Sequence, residues 1–130
     1  LQNTIRRTAN ANSVLSTVIS SDIYFERAPD NTTSPYITFH FISEVPVRCF
    51  RSADDWEDYM VQFSIFSNSS STSESNTIKS DLDLVFDRST LTYATKTQIA
   101  CHREGSTGPT WLGEDDMYMT TLTYRIQFNK

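Results

Sequence analysis

Histidine and cysteine are the residues most often used for metal binding and nucleophilic chemistry, and this chain has two of each: His40, Cys49, Cys101 and His102. Four such side chains could together hold a zinc ion, which takes nitrogen and sulfur ligands in a tetrahedron. Structural zinc sites draw these ligands in close pairs, roughly two to four residues apart, and the spacing here does not match. Cys101 and His102 are adjacent, so on a strand they would point to opposite faces of the sheet. We therefore expect no metal site, and two thiols rather than a disulfide.

Catalytic signatures are missing from the sequence. It has no glycine-rich phosphate loop, no Gly-x-Ser-x-Gly elbow and no His-Glu-x-x-His helix. Acidic residues at 54–58 surround Trp56, and carboxylates beside an aromatic platform are compatible with sugar binding or hydrolysis. The solvated tip of a β-hairpin is the simpler interpretation, both here and for the acidic residues at 114–116. We expect no enzyme activity and no cofactor, with a small hydrolase or carbohydrate-binding module as the less favoured alternative.

Composition and charge argue against a disordered chain, a membrane-spanning protein and a protein that binds nucleic acid tightly. Hydrophobic residues make up 38% of the 130 positions, and 34 positions are Ser or Thr, yet aromatic residues reach 12% in patterned runs that indicate a core. No apolar run approaches the roughly 20 residues of a membrane span. The formal net charge of −5 argues against a protein that grips nucleic acid through its phosphates, which needs a concentrated basic patch.

Hydrophobic periodicity predicts an α+β protein. Helical spacing indicates a helix near the N-terminus, a break at 10–12 and a short second helix to about 20. A later helix starts at a capping box of Ser71 and Glu74 and runs to about 87. Alternation predicts strands over 23–28, 36–43, 57–67, 91–103 and 117–128, with loops at 29–35 and 104–116. Pro46 makes 44–56 a hairpin arm or edge rather than a central strand.

The expected architecture is a two-layer sandwich in a single domain over residues 1–130. A mostly antiparallel sheet of four or five strands carries the helices on one face, and a long β-hairpin from 36 to 67 protrudes from the body. Protruding aromatic residues are enriched at protein–protein interfaces, so we predict an assembly module that contacts its partners through the hairpin tip and the 104–116 loop. Folding back of Trp56 or Trp111 onto the core is the alternative. The predicted interface residues are Phe50, Asp54, Asp55, Trp56, Trp111, Leu112, Asp115 and Asp116.

Three segments carry a resemblance to a known family. They are Ile23-Tyr24-Phe25-Glu26-Arg27-Ala28-Pro29, Ser34-Pro35-Tyr36-Ile37-Thr38-Phe39 and Val61-Gln62-Phe63-Ser64-Ile65-Phe66-Ser67, the last followed by a helix that ends at Phe86-Asp87. With this layout, the chain resembles the tail-completion proteins of tailed bacteriophages, also called tail terminators or head-to-tail joining proteins. The resemblance covers roughly residues 23 to 128 and rests on packing and turn motifs.

The resemblance implies a homo-oligomeric ring, usually six-fold, at the head-proximal end of a phage tail. Such a ring ends polymerisation of the tail-tube protein and contacts the head-completion or neck proteins. Double-stranded DNA passes through its lumen without specific binding, and no membrane is involved. The protein would be assembled in the host cytoplasm and reside in the virion. A head-completion stopper or adaptor ring of the neck is the alternative reading.

Overall fold

A computed structural model of the chain describes residues 2–11, 15, 19, 22–29, 32, 35–49, 52–68, 72–87, 91, 97–113 and 116–129. Helix α1 spans Gln2–Ala11, and the buried residues Leu15 and Ile19 are also helical. The remaining elements follow in chain order: β1 Ile23–Phe25, β2 Tyr36–Cys49, β3 Ser52–Ser67, α2 Ser73–Phe86, β4 Thr97–Leu112 and β5 Met117–Asn129.

The strands form one sheet in the order β1-β2-β3-β5-β4. β1 pairs with β2 in parallel, and every other neighbouring pair is antiparallel. Both helices pack on one face of this sheet, so the predicted α+β class with a mostly antiparallel sheet is confirmed. The two ends of the sheet differ, because one is the short parallel β1 and the other is the long antiparallel β4.

The core lies between the helices and the face of the sheet that alternation predicts to be apolar. Phe63 of β3 lies at its centre, with ring centroids 5.7 Å from Phe39, 5.0 Å from Phe86 and 5.7 Å from Tyr124. The helix α2 contributes the expected stripe, and Ile78, Leu82 and Phe86 are fully buried. The neighbours of these strand residues in sequence point to the other face, where no described helix packs; we call this the open face.

The predicted loop at 104–116 is wrong for most of its length, because β4 continues to Leu112. None of its glycines has a positive φ, and a Cβ at Gly105 or Gly108 would meet nothing within 4 Å. Glycine and Pro109 are tolerated because β4 is an edge strand, and register shifts between Arg103 and Gly105 and between Thr107 and Thr110 absorb the irregularity.

The segment 44–56 is largely strand. β2 runs through Pro46 to Cys49, and β3 starts at Ser52. The strand β1 reaches only Ile37–Phe39, so β2 is an edge at Pro46, as predicted from the missing amide donor. Protrusion of this arm from the body stays a prediction.

Two further predicted boundaries are wrong. The strand expected at 23–28 ends at Phe25, because Glu26 has a φ of 63°. Helix α2 begins at Ser73 after an N-cap Thr72 whose side chain makes no capping hydrogen bond, and Glu74 accepts a hydrogen bond from Ser67 at 2.5 Å. Ser71 and residues 92–96 of the strand predicted at 91–103 lie outside the described residues, and Leu91 is buried.

Candidate assembly surface

The arm formed by β2 and β3 extends past the rest of the sheet in its pairing. The two strands pair from Tyr36 opposite Phe66 to Cys49 opposite Ser52, whereas the pairing of β3 with β5 stops at Trp56. Residues 52–55 therefore have only β2 as a described neighbour. Asp54, Asp55 and Trp56 lie on β3, but their side chains, like Phe50 as a whole, are outside the described set. Their role in contacts stays a prediction.

At the opposite edge of the sheet, β4 presents a large exposed aromatic side chain. Trp111 is 48% exposed, although its ring meets the edge of Tyr118 with centroids 4.8 Å apart. Trp111 is opposite Tyr118 on β5, and Tyr118 is opposite Ser67 on β3, so all three side chains lie on the same face of the sheet. Ser67 bonds to Glu74 of α2, which identifies this face as the helix-bearing one. Trp111 thus lies at the edge of the helix-bearing face, with about half of its surface exposed and the rest against Tyr118.

The neighbours of Trp111 include two more of the predicted interface residues. Leu112 is partly buried and is opposite Met117. Asp116 is exposed and has a φ of 53° at the turn into β5. Asp115 lies outside the described residues. The structure therefore brings Trp111, Leu112 and Asp116 together at one corner, on a strand end and a turn instead of a long loop.

The open face carries an aromatic and methionine row across three strands. Tyr36 is opposite Phe66, and Phe66 is opposite Met119. The Tyr36 and Phe66 rings stack with centroids 5.0 Å apart and an angle of 21° between their planes. All three side chains are partly buried, because they cover one another.

A pocket lies next to this row, where the chain leaves β1. Its volume is about 400 Å³, and we call it the β1 pocket. The Glu26 amide donates to the Phe39 carbonyl at 2.7 Å, which holds the turn against β2 while Glu26 adopts its positive φ. The pocket residues are Glu26, Arg27, Ala28, Pro29, Thr32, Tyr36, Thr38 and Phe66. The sequence analysis missed this pocket; the signal for it was a turn-rich segment directly after a short apolar strand.

The described arginines of β4 and β5 are both bound to aspartates. On the open face, Nε of Arg125 donates to both carboxylate oxygens of Asp58, at 3.0 and 2.9 Å, and its Nη2 bonds to the same carboxylate. The Asp58 carboxylate raises the pKa of Arg125 through this contact. On the helix side, Arg103 lies 3.4 Å from Asp83. Each of these cations is therefore paired with a carboxylate of the same copy.

Tyr124 forms a polar link between the sheet and α2. Its hydroxyl donates to Oδ1 of Asp83 at 2.7 Å, and burial of the ring, followed by that hydrogen bond, raises the pKa of Tyr124. The same carboxylate faces Arg103. These contacts fix α2 on the sheet, and nothing in them resembles a general acid or base beside a cleft.

Two of the residues considered for zinc, Cys101 and His102, have side chains on different faces of β4, and the side chain of Cys49 lies outside the described residues. The Cys101 side chain is buried and its thiol donates to the Phe86 carbonyl at 3.1 Å, while Nε2 of His102 lies on another face, 2.8 Å from Glu104. Among the described residues no three His, Cys, Asp or Glu side chains are grouped so that they could hold a metal ion. Neither described helix is long and apolar enough to cross a membrane.

Comparison with known proteins gives matches at the level of structure. No protein-family model and no curated protein sequence matches the chain. A solved structure of the virion of a native gene transfer agent particle contains a chain that matches with a TM-score of 0.84 at 12% identity, over 100% of this chain and 95% of that one. A second solved structure matches with a TM-score of 0.67 at 9% identity, over 100% of this chain and 96% of the other. The chain therefore shares, over its whole length, the fold of a protein in the gene transfer agent virion.

Proposed function

We propose that the protein is a structural virion component that forms a ring at the head-proximal end of a phage tail. There it ends polymerisation of the tail tube and joins the tail to the head or neck, with residues 1–130 acting as one tail-terminator-like domain. The observation that carries the proposal is the likeness in fold, over the whole chain, to a protein of the gene transfer agent virion. The segments that resemble tail-completion proteins point the same way.

The asymmetry of the sheet fits a ring. A closed ring needs a head-to-tail interface in which two different surfaces of the molecule meet. This chain offers two unlike sheet ends, with β1 and its pocket at one end and β4 with Trp111 at the other. A two-fold dimer would instead need one surface that is complementary to itself.

The charge of the molecule fits the passage of DNA through such a ring. Each copy adds a formal charge of −5, so an assembled ring is strongly acidic. Arg125 is held by Asp58 and Arg103 by Asp83, which leaves the described cations of β4 and β5 neutralised by neighbours. A wall of this kind repels phosphates and lets DNA slide without specific binding.

The test mixes the purified protein with tail tubes that lack a terminator, and then with DNA-filled heads. We expect rings at one tube end by electron microscopy, no further elongation when fresh tube protein is added, and attachment of the capped tubes to heads. Tubes that keep growing with bare ends would overturn the proposal. Binding to heads but not to tubes would instead assign the protein to the neck, as a stopper or adaptor.

A shortened arm provides the matched variant. Replacing residues 48–55 by Asn-Gly keeps Val47 opposite Trp56 and closes the arm with a favoured two-residue hairpin turn. We expect this variant to keep the far-ultraviolet circular dichroism of the parent and to lose its capping of tubes. If the shortened protein caps tubes as well as the parent does, the arm is not a contact surface.

A further inference from the structure

We propose that Trp111 of one copy inserts into the β1 pocket of the next copy, so that a knob and a hole repeat around the oligomer. The inference rests on the proposed ring, and it names the contact that would hold the ring together. Its two halves are described residues at opposite ends of the same sheet. Each half lacks an explanation within a single copy.

The knob, Trp111, is an exposed aromatic side chain at the end of the sheet. Trp111 is one of only a few large apolar side chains among the described residues that are strongly exposed. One edge of its ring packs against Tyr118, which leaves the rest of the indole available for a contact. Tryptophan buries roughly 150–250 Å² and is enriched among the residues that dominate binding energy at interfaces.

The hole matches an aromatic group in size and chemistry. A volume of about 400 Å³ lies in the range of pockets that hold small organic groups. The stacked rings of Tyr36 and Phe66 give it an aromatic wall against which an indole can pack. Glu26 and Thr32 also line this space, and their side chains carry oxygens that can accept the indole N–H.

The placement of the two features determines the symmetry of the contact. β4 and β1 are the two end strands of the sheet, so a contact between them is head-to-tail and can continue from copy to copy. Trp111 lies on the helix-bearing face, and the Tyr36–Phe66 wall lies on the open face. Neighbouring copies would therefore overlap only at these corners, with the Trp111 corner of the helix-bearing face of one copy over the Tyr36–Phe66 corner of the open face of the next.

Charge complementarity favours a second copy as the occupant. The β1 end carries three described arginines, Arg6 and Arg7 on α1 and Arg27 in the pocket, against two described carboxylates, Asp22 and Glu26. The β4 end carries exposed Asp116 beside Trp111 and exposed Glu104, which lies 2.8 Å from His102, and its Arg103 is paired with Asp83. Opposite charges at the two ends steer a head-to-tail encounter and disfavour the reverse pairings.

The edges of β4 and β2 are poorly suited to backbone pairing with a strand of a second copy, which favours insertion of a side chain instead. β4 has three register shifts and contains Pro109, and the free edge of β2 contains Pro46. Proline and bulges interrupt the row of amide donors that a new strand would need. These interruptions favour a contact between copies that relies on side chains.

The first arm of the experiment measures assembly of the full chain by sedimentation velocity over a range of concentrations. Trp111→Ala, which removes the knob, and Ala28→Phe, which fills the hole, are each expected to raise the concentration of half-assembly at least about tenfold. Leu84→Ala and Ser80→Phe are the matched controls, because both positions are exposed on the C-terminal half of α2, which contacts β4 near Arg103 rather than near Trp111. These controls should assemble like the parent protein.

The second arm traps the contact directly. Trp111→Cys protein is mixed with Ala28→Cys protein under mild oxidation, and the cross-linked peptides are identified by mass spectrometry. A disulfide between positions 111 and 28 that forms in the mixture, and in neither variant alone, is the expected result. Each single variant also controls for cross-links through the native cysteines.

The outcomes separate this contact from the proposed function. If the parent caps tail tubes while Trp111→Ala and Ala28→Phe assemble normally and no 111–28 cross-link appears, the contact is wrong and the function stands. If the cross-link forms but the parent leaves tubes uncapped, the contact is right and the tail role is wrong. Assembly lost equally in the Leu84 and Ser80 controls would also overturn the contact.

Discussion

Phe63 and Phe66 provide a matched test of which face of the sheet is the core. Both lie on β3, three residues apart, and their side chains point to opposite faces. Phe63 is fully buried between the sheet and α2, whereas Phe66 is partly buried on the open face and stacks on Tyr36. Replacing each by alanine makes the same chemical change in two different environments.

The structure predicts unequal losses of stability. Phe63→Ala removes a ring that contacts Phe39, Phe86 and Tyr124, and large-to-small changes of this kind cost about 3–5 kcal/mol in the free energy of unfolding. Phe66→Ala loses one stacked pair and a partly exposed ring, for which we expect about 1 kcal/mol. If the free energy of unfolding falls by about 1.5 kcal/mol per molar urea, the unfolding midpoint falls by roughly 2–3 M for Phe63→Ala. For Phe66→Ala it falls by less than about 1 M.

The assay is urea unfolding of the unassembled protein, followed by far-ultraviolet circular dichroism and by tryptophan fluorescence. If Phe63→Ala does not fold, Phe63→Leu keeps most of the apolar volume and should still lose more stability than Phe66→Leu. Equal losses at the two positions, or a larger loss at Phe66, would refute the assignment of an open face. In that case the face that we propose for contacts between copies would be part of the core.

Three further predictions concern groups inside the fold. Tyr124→Phe should lower the free energy of unfolding by about 1–2 kcal/mol, because it removes a hydrogen bond to the Asp83 carboxylate. The control Tyr24→Phe, which removes a hydrogen bond to Asp22 nearer the surface, should lower it by less in the same unfolding assay. Folding raises the pKa of the Tyr124 hydroxyl, so its hydrogen bond contributes fully to stability below pH about 10, the pKa in the unfolded chain. That contribution falls as the pH rises above this value, because the unfolded chain then loses the proton more easily than the folded one. Wild type should therefore lose more stability than Tyr124→Phe between about pH 9 and pH 11; equal losses would contradict the raised pKa. The buried Cys101 thiol should react with a disulfide reagent only at the rate of unfolding, measured by absorbance with urea-unfolded protein as control.

Alternation along β2, β3 and β5 was readable from the sequence because one side of the sheet is packed and the other is not. Ile37 and Phe39, like Val61 and Phe63, share the buried face that their period of two predicts. The stripe of Ile78, Leu82 and Phe86 similarly follows from helical spacing and was visible in advance. Such patterns are local, so the class of the fold could be inferred without knowing which strands meet.

The extent of β4 and the partner of β1 were decided only by tertiary structure. Glycine and proline between Gly105 and Pro109 are typical of a loop, and only the antiparallel pairing with β5 makes this segment a strand. The parallel pairing of β1 with β2 joins residues 14 apart and is invisible to any local pattern. The β1 pocket and the exposure of Trp111 depend on these pairings, because strand order determines which residues lie at the ends of the sheet. The amino-acid pattern therefore determined what the molecule buries, and the tertiary fold determined what it exposes at the two ends of the sheet.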